Sequence, residues 1–456
     1  MTELGTALRE LVDRQQPVGG DDAGDLWQQG RRRVRRRRAV GAGAIAALAL
    51  AVATLGALTP HSTGIEPAGQ PHAPGFPTGV HVPSPQLSGT AQDGPLGQLA
   101  VLALGQRGTN RTDAIFGISA STGTYRFIDL PGQVTGTHVA MSPDGKHIAY
   151  WYTGPIAGTY LDAKDGQSGP VAGIALYDTI TGTVQRSSVR SAHGLSAEEL
   201  FWPDNDNLLY IWSYRGVRRM NDAVGVDTHD GGIFRWGPGQ AAPSKVHYLP
   251  SGSFAFWPNQ DGTFLQPGED TSLVPVSDAG PGQLVAGEQR LVLPRRPTST
   301  SGDVQYTGVS RSGDLVVAIP NQTAAYTSPL MAGKVGPDGT VARLRFADRI
   351  NDARLIGWHD AHTVVVAGFR VAGGRTGLYE VDLNNDHVRY LGPSTVIQQN
   401  NETLPDGGQV ATDLVPNLVA DHLPPKAARD WTLLLGWVPV ALLVGWIFIR
   451  RRRARA

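Results

Sequence analysis

Three stretches of the sequence carry side chains of the kind that hold a cation or move a proton. In "DLNND", Asp382, Asn384 and Asp386 alternate at the spacing of a calcium loop. His387 stands where that loop needs glycine, and Pro393 where it needs a bidentate glutamate, so a strand-connecting turn is the better reading. "NDAVGVDTHDGG" (221–232) gathers Asp222, Asp227 and Asp230, and reads as a solvated loop between strands. His61, His72 and His81 lie at uneven spacing in a strip rich in proline and glycine, where solvated histidines are expected. No Gly-x-Ser-x-Gly elbow and no glycine-rich phosphate loop occurs. With no cysteine, thiol catalysis and Cys-based zinc sites are excluded. Acid–base pairs cannot be read from spacing in a chain whose carboxylates come from separate repeats. The expectation is no catalytic, cofactor-binding or metal residue, and no cofactor.

The elements that position these residues repeat. "MSPDGKHIAYW" (141–151) is a turn, Ser142-Pro143-Asp144-Gly145, running into an apolar strand. The phrase returns as "FWPDNDNLLYIW" (201–212), "FWPNQDGTFLQ" (256–266), "VSRSGDLVVAI" (309–319) and "IGWHDAHTVVVAG" (356–368), and in shortened form as "LPDGGQVATDLV" (404–415). A second hairpin phrase alternates with it: "FGISASTGTYRFIDL" (116–130), "LYDTITGTVQR" (176–186), "IFRWGPGQ" (233–240), "VGPDGTVARL" (335–344) and "LYEVDLNNDHVRYL" (378–391). Two hairpins per period make four strands per unit, the signature of a β-propeller blade. Blades pack face to face, which accounts for apolar runs in place of strict alternation. Trp151, Trp202, Trp257 and Trp358 read as packing between blades, each burying roughly 150–250 Å².

"SPDGKHIAYW" (142–151) resembles the strand signature of TolB-type and WD-like bacterial propellers, and the resemblance extends over approximately 97–420. It implies a fold and brings no catalytic residue with it. "GQLAVLAL" (97–104) and "LPDGGQVATDLV" together would complete one blade from the two ends of the domain, closing the ring. The expected fold is all-β: a propeller of about six four-stranded blades, or seven if 268–306 holds one more, flanked by two single transmembrane α-helices.

Those helices are read from 39–58, twenty uncharged and mostly apolar residues, and from 431–449, a second uncharged stretch of nineteen. Arg31, Arg32, Arg33, Arg35, Arg36, Arg37 and Arg38 precede the first. Arg450, Arg451, Arg452 and Arg453 follow the second. The positive-inside rule then puts both termini in the cytoplasm and the propeller outside the cell membrane. The formal net charge is +0, yet residues 1–38 carry nine Arg against six Asp/Glu and 450–456 carry five Arg, leaving 39–449 at −8. Beside a membrane span the arginine run reads as a topology anchor, and no nucleic-acid partner is expected. A cleaved signal peptide ending near 55–57 is the competing reading of the first span.

The remaining segments are a cytoplasmic head (1–38), an outer linker rich in proline and glycine (59–96), a tether (421–430) and a basic tail (450–456). Leu4, Leu8, Leu11 and Val12 fall on one face of a possible head helix that could dock a cytoplasmic partner. That head is similar to the N-terminal regions of actinobacterial membrane proteins associated with sigma-factor regulation, and the Ala, Gly, Arg and Pro richness resembles an actinobacterial composition. The expected work is binding, as an envelope scaffold or sensor for a protein, peptide or glycan. The alternatives are a transmembrane regulator signalling through 1–30, and a propeller enzyme such as a glycosidase or lactonase.

Overall fold

A computed structural model of the chain describes residues 72–160, 169–220, 223–246, 257–258, 264–267, 272–278, 284–286, 291–292, 304–310, 313–320, 330–341, 343, 345–346, 350–370, 373–394 and 408–420. The spans 39–58 and 431–449, the arginine blocks, the head with Leu4, Leu8, Leu11 and Val12, and His61 lie outside the described residues. Among the described residues no helix is long and apolar enough to cross a membrane.

Almost every described element is a strand, and the strands fall into four-stranded antiparallel groups taken in chain order. Sheet I joins Gly408–Val410 to Leu99–Arg107, Thr112–Ser119 and Tyr125–Phe127. Sheet II is Val139–Met141, His147–Thr153, Val171–Asp178 and Val184–Ser188, and sheet III is Leu195–Phe201, Leu208–Met220, Ala223–Trp236 and Ser244–Val246. The strand pair Val171–Leu195 links sheets II and III into one eight-stranded sheet. Sheet IV is Trp257–Pro258, Phe264–Pro267, Ser272–Asp278 and Leu284–Ala286, with Leu291–Val292 added beside its third strand. Sheet V is Val304–Val309, Leu315–Pro320, Met331–Lys334 and Arg345–Phe346. Sheet VI is Ile350–Trp358, Thr363–Arg370, Arg375–Asp382 and His387–Gly392. The irregular stretch 268–306 thus gives strands to sheets IV and V, with no further sheet among the described residues.

In sheet I the first strand comes from the far end of the chain, Val101–Ala103 pairing with Gly408–Val410. First strands lie against one another in I and II, II and III, IV and V, and V and VI. Side chains stitch this inner layer. Arg354 of sheet VI donates to the Gly408 carbonyl at 2.6 Å. The Gln409 amide accepts from the Met141 N–H at 2.5 Å and donates to the Val139 carbonyl at 2.6 Å. One apolar cluster runs through three sheets, from Val365 and Leu378 of VI through Leu99 and Phe116 of I to Tyr150 of II. A second joins II to III, and a third joins V to VI. Sheets of β-branched and aromatic residues buried on both faces are what blades stacked around an axis require.

The expected linker behaves differently over its described part. Residues 72–96 lie against sheet I and its neighbours. Phe76–Pro77 pairs in parallel with Leu418–Val419, and Phe76 and Val80 are fully buried. Val80 bridges Ser394 beyond sheet VI, Gly89 bridges Phe127, and the Gly97 N–H donates to Thr179 at the edge of sheet II. The strap therefore passes along the outermost strand of sheet I, Tyr125–Phe127. Asp129 fixes it by accepting from the Ala91 N–H at 2.9 Å and pairing with Arg107 at 2.5 Å. Composition suggested a free spacer; two large apolar side chains and a covered sheet edge override it.

Candidate functional site

In an antiparallel meander, the connections from first to second strand and from third to fourth strand share one end of every sheet. Those from second to third strand, and from one sheet to the next, share the other. We call these the turn end and the arm end.

The turn end holds Ser142–Gly145. The Ser142 hydroxyl donates to Asp144 at 2.7 Å and accepts from the His147 N–H at 3.0 Å. Gly145 has φ 72°, a Cβ there would meet the Leu99 carbonyl oxygen, and the Gly145 carbonyl accepts from the Leu99 N–H at 2.9 Å. Asn205, in the equivalent connection of sheet III, accepts from the Asp144 N–H at 2.8 Å and donates to Asp413 at 2.7 Å. The Asp413 N–H donates to the Pro143 carbonyl at 3.1 Å. One turn thus holds sheets I, II and III and the returning chain together. Ser310 repeats the device in sheet V, donating to Asp314 at 2.9 Å and accepting from the Leu315 N–H at 3.0 Å. Three further carboxylates of this end accept from backbone amides: Asp204 caps Asp206 and Asn207, Asp360 caps His362 and Thr363, and Asp382 caps Asn384. "DLNND" is such a turn, with Asp386 at φ 57°. His147 stacks on Trp202 at 6.1 Å, and burial pulls its pKa below the ordinary 6.5 against the opposing pull of Asp144 and Asp178.

The tryptophans sit at sheet interfaces. Trp151 is fully buried, edge-on to Tyr210 of sheet III at 5.9 Å. The buried Trp202 indole of sheet III donates to the Ala140 carbonyl of sheet II at 3.1 Å. Trp358 of sheet VI, also buried, lies against Gly308 of sheet V, a Cβ on which would stand 3.6 Å from the indole nitrogen. Ala140 and Gly308 each precede the turn serine by two residues, so the same small position receives a tryptophan from the following sheet. Trp257 falls on the first strand of sheet IV, and its side chain is outside the described residues.

The arm end is irregular. Second and third strands are joined by 108–111 in sheet I, by 154–170 in sheet II, and in sheet III by a ribbon reaching past the rest of the sheet. Leu208–Met220 pairs with the first strand only from Leu209 to Tyr214, yet it pairs with Ala223–Trp236 over its whole length. The stretch 221–232, expected as a loop, is therefore mostly the returning limb of this hairpin. Register pairing from Tyr214–His229 to Met220–Ala223 extends it, and a bulge at Asp230, φ 49°, re-aims it. The ribbon stands on an aromatic base: Trp212 stacks on Phe234 at 4.9 Å and meets Tyr214 edge-on at 4.9 Å. Val217 is 44% exposed. Beside the ribbon, His138 faces Glu199 at 3.6 Å and Ser213 donates to Glu198 at 3.1 Å. His72 and His81 are tied into the strap, His72 Nδ1 lying 2.8 Å from the Ala73 carbonyl and the His81 N–H donating to the Tyr125 hydroxyl. Among the described residues no group of three or more His, Asp and Glu side chains is placed to hold a metal.

No protein-family model matches the chain, and no curated protein matches it. Among solved structures the chain is similar to TolB from Acinetobacter baumannii, at 15% identity over 67% of this chain and 70% of that one, TM-score 0.35. It is also similar to a putative 6-phosphogluconolactonase from Bacteroides uniformis, at 11% identity over 64% of this chain and 81% of that one, TM-score 0.33. Tricorn protease aligns at 13% identity over 63% of this chain and 29% of that one, TM-score 0.34. The propeller class rests on the sheets themselves, on their meander order and on the strand returned to sheet I from the chain's far end.

Proposed function

We propose that this chain is a membrane-anchored binding module. It is a closed six-bladed propeller held outside the cell by spans 39–58 and 431–449, and it works as a scaffold or sensor for an envelope protein. The observation that carries the binding role is the ribbon of sheet III, which leaves the blade and exposes Val217, while the described turns at the opposite end bond to their own backbone or, at 142–145, to neighbouring sheets. The anchoring rests on the two uncharged stretches and the arginine blocks that flank them.

The chain has no cysteine, so single-cysteine labelling is clean. Cysteine placed at Val217 should react with a membrane-impermeant maleimide in intact cells, and cysteine at Arg455 should react only after lysis. Labelling of the tail in intact cells, or none at 217 until lysis, would refute the topology.

A further inference from the structure

The two ends of the sheet-forming chain meet. Phe76–Pro77 of the strap and Leu418–Val419 of the returning chain pair in parallel. The Phe76 N–H donates to the Asn417 carbonyl at 2.8 Å, and the Thr78 N–H to the Val419 carbonyl at 2.9 Å. The Asn417 side-chain amide donates to the Pro74 carbonyl at 2.6 Å. The two backbones approach so closely that a Cβ on Gly75 would meet the Asn417 carbonyl oxygen and the Val419 side chain.

This pair lies over the junction of sheets VI and I. From the strap, the Gly75 N–H donates to the Ala120 carbonyl of sheet I at 3.0 Å, and the Val80 N–H to the Pro393 carbonyl beyond sheet VI at 2.7 Å. From the returning chain, the Ala411 N–H donates to the Ala100 carbonyl of sheet I at 2.9 Å. Val415 lies against Gly357 of sheet VI, where a Cβ would stand 3.0 Å from it. Just upstream, Gly408–Val410 is the strand returned to sheet I.

Direction decides how such a pair answers tension. Residues before 72 lead into one strand and residues after 419 lead out of the other, and the two strands run the same way. Drawing those ends apart pulls the strands along their axes in opposite directions, so the bonds between them carry the load together. Terminal strands paired antiparallel would be peeled one bond at a time. A pull arriving beyond 419 also meets this pair before it reaches Gly408–Val410.

We propose that the strap and the returning chain form a shear clasp, which keeps Gly408–Val410 in sheet I when the segments leading to 39–58 and 431–449 are drawn apart. The proposal takes from the anchored reading above that both ends are held; the clasp's response to the direction of pull is independent of it.

Single-molecule pulling on the full-length chain tests the clasp, since a chain without cysteine accepts paired thiol handles. Handles at Gln70→Cys and Asp421→Cys load the pair in shear. Handles at Val82→Cys and Asp421→Cys grip both strands at the same end and peel them, Val82 being 56% exposed. The first rupture should need at least about twice the force in shear as in peeling, because the three bonds above fail together instead of in turn. Gly75→Ala should bring the shear force down to the peeling value, while slow amide exchange along Leu99–Arg107 shows sheet I intact. Equal force in the two directions, or a shear force unchanged by Gly75→Ala, would overturn the clasp. The comparison of directions is made on the parent fold, so it decides the matter even where Gly75→Ala does not fold. A clasp that fails leaves the labelling at 217 and 455 unaffected, and labelling that refutes the topology leaves the ratio of forces unaffected.

Discussion

The two ends of the sheets are built from the same strands and treat their polar groups in opposite ways. At the turn end, connections 142–146, 202–207, 310–314 and 359–362 are all short. Asp and Ser side chains there are used up on backbone amides within a few residues. At the arm end, connections run from 108–111 to 154–170 and to the sheet III ribbon, His138 faces Glu199, Ser213 donates to Glu198, and His229 lies against Tyr214. Turn chemistry that is satisfied internally fixes structure; length variation on a rigid scaffold is where binding surfaces arise.

The comparison breaks most readily at Gly145. Gly145→Ala places a Cβ against the Leu99 carbonyl at a positive φ, and should lower unfolding free energy by at least about 3 kcal/mol in denaturant titration. A cost under about 1 kcal/mol would show that the turn end can yield as freely as the arm end.

Ser142→Ala comes next. The buried hydroxyl serves Asp144 and the His147 amide, and its loss should cost about 1–3 kcal/mol by the same titration.

His147 sharpens the contrast through pH. Its folded-state pKa lies below the ordinary 6.5 because burial disfavours the charged ring. The unfolded chain therefore binds the proton more readily, and its contribution is complete above 6.5 and lost as pH falls through the lowered folded value. His147→Gln should flatten the decline in thermal midpoint between neutral and acid pH; an unchanged slope would remove His147 from the acid response.

The smallest stability effect is expected at the other end. Val217→Ser on the ribbon should move stability by no more than about 0.5 kcal/mol, since a surface side chain away from the core contributes little.

What the sequence made legible follows the same division. The hairpin phrases around Ser142, Trp202, Ser310, Trp358 and Asp382 all fall at the turn end, because Asx and serine turns are written in adjacent residues. Their period gave the four-stranded unit, and the fragment at 404–415 supplied the returning strand of sheet I. The ribbon was missed because "DTHDGG" has loop composition, whereas pairing with Leu208–Met220 decides its state. The strap was missed because proline and glycine dominate 59–96, while its anchors, Phe76 and Val80 fully buried and Leu87 and Leu96 packed against the core, are scattered among them. Alternation of Val217, Val224 and Val226 about the hairpin tip was the available signal for the ribbon.

The most direct measurement uses a matched pair of exposed apolar residues. Val217 on the ribbon is 44% exposed, and Ile180 in the turn that follows the third strand of sheet II is 47% exposed. A photo-crosslinking residue at each position of the full-length chain, activated in living cells, compares the two ends at equal accessibility. The account predicts a defined partner adduct from 217 and none from 180. An adduct from 180 with none from 217 would contradict it.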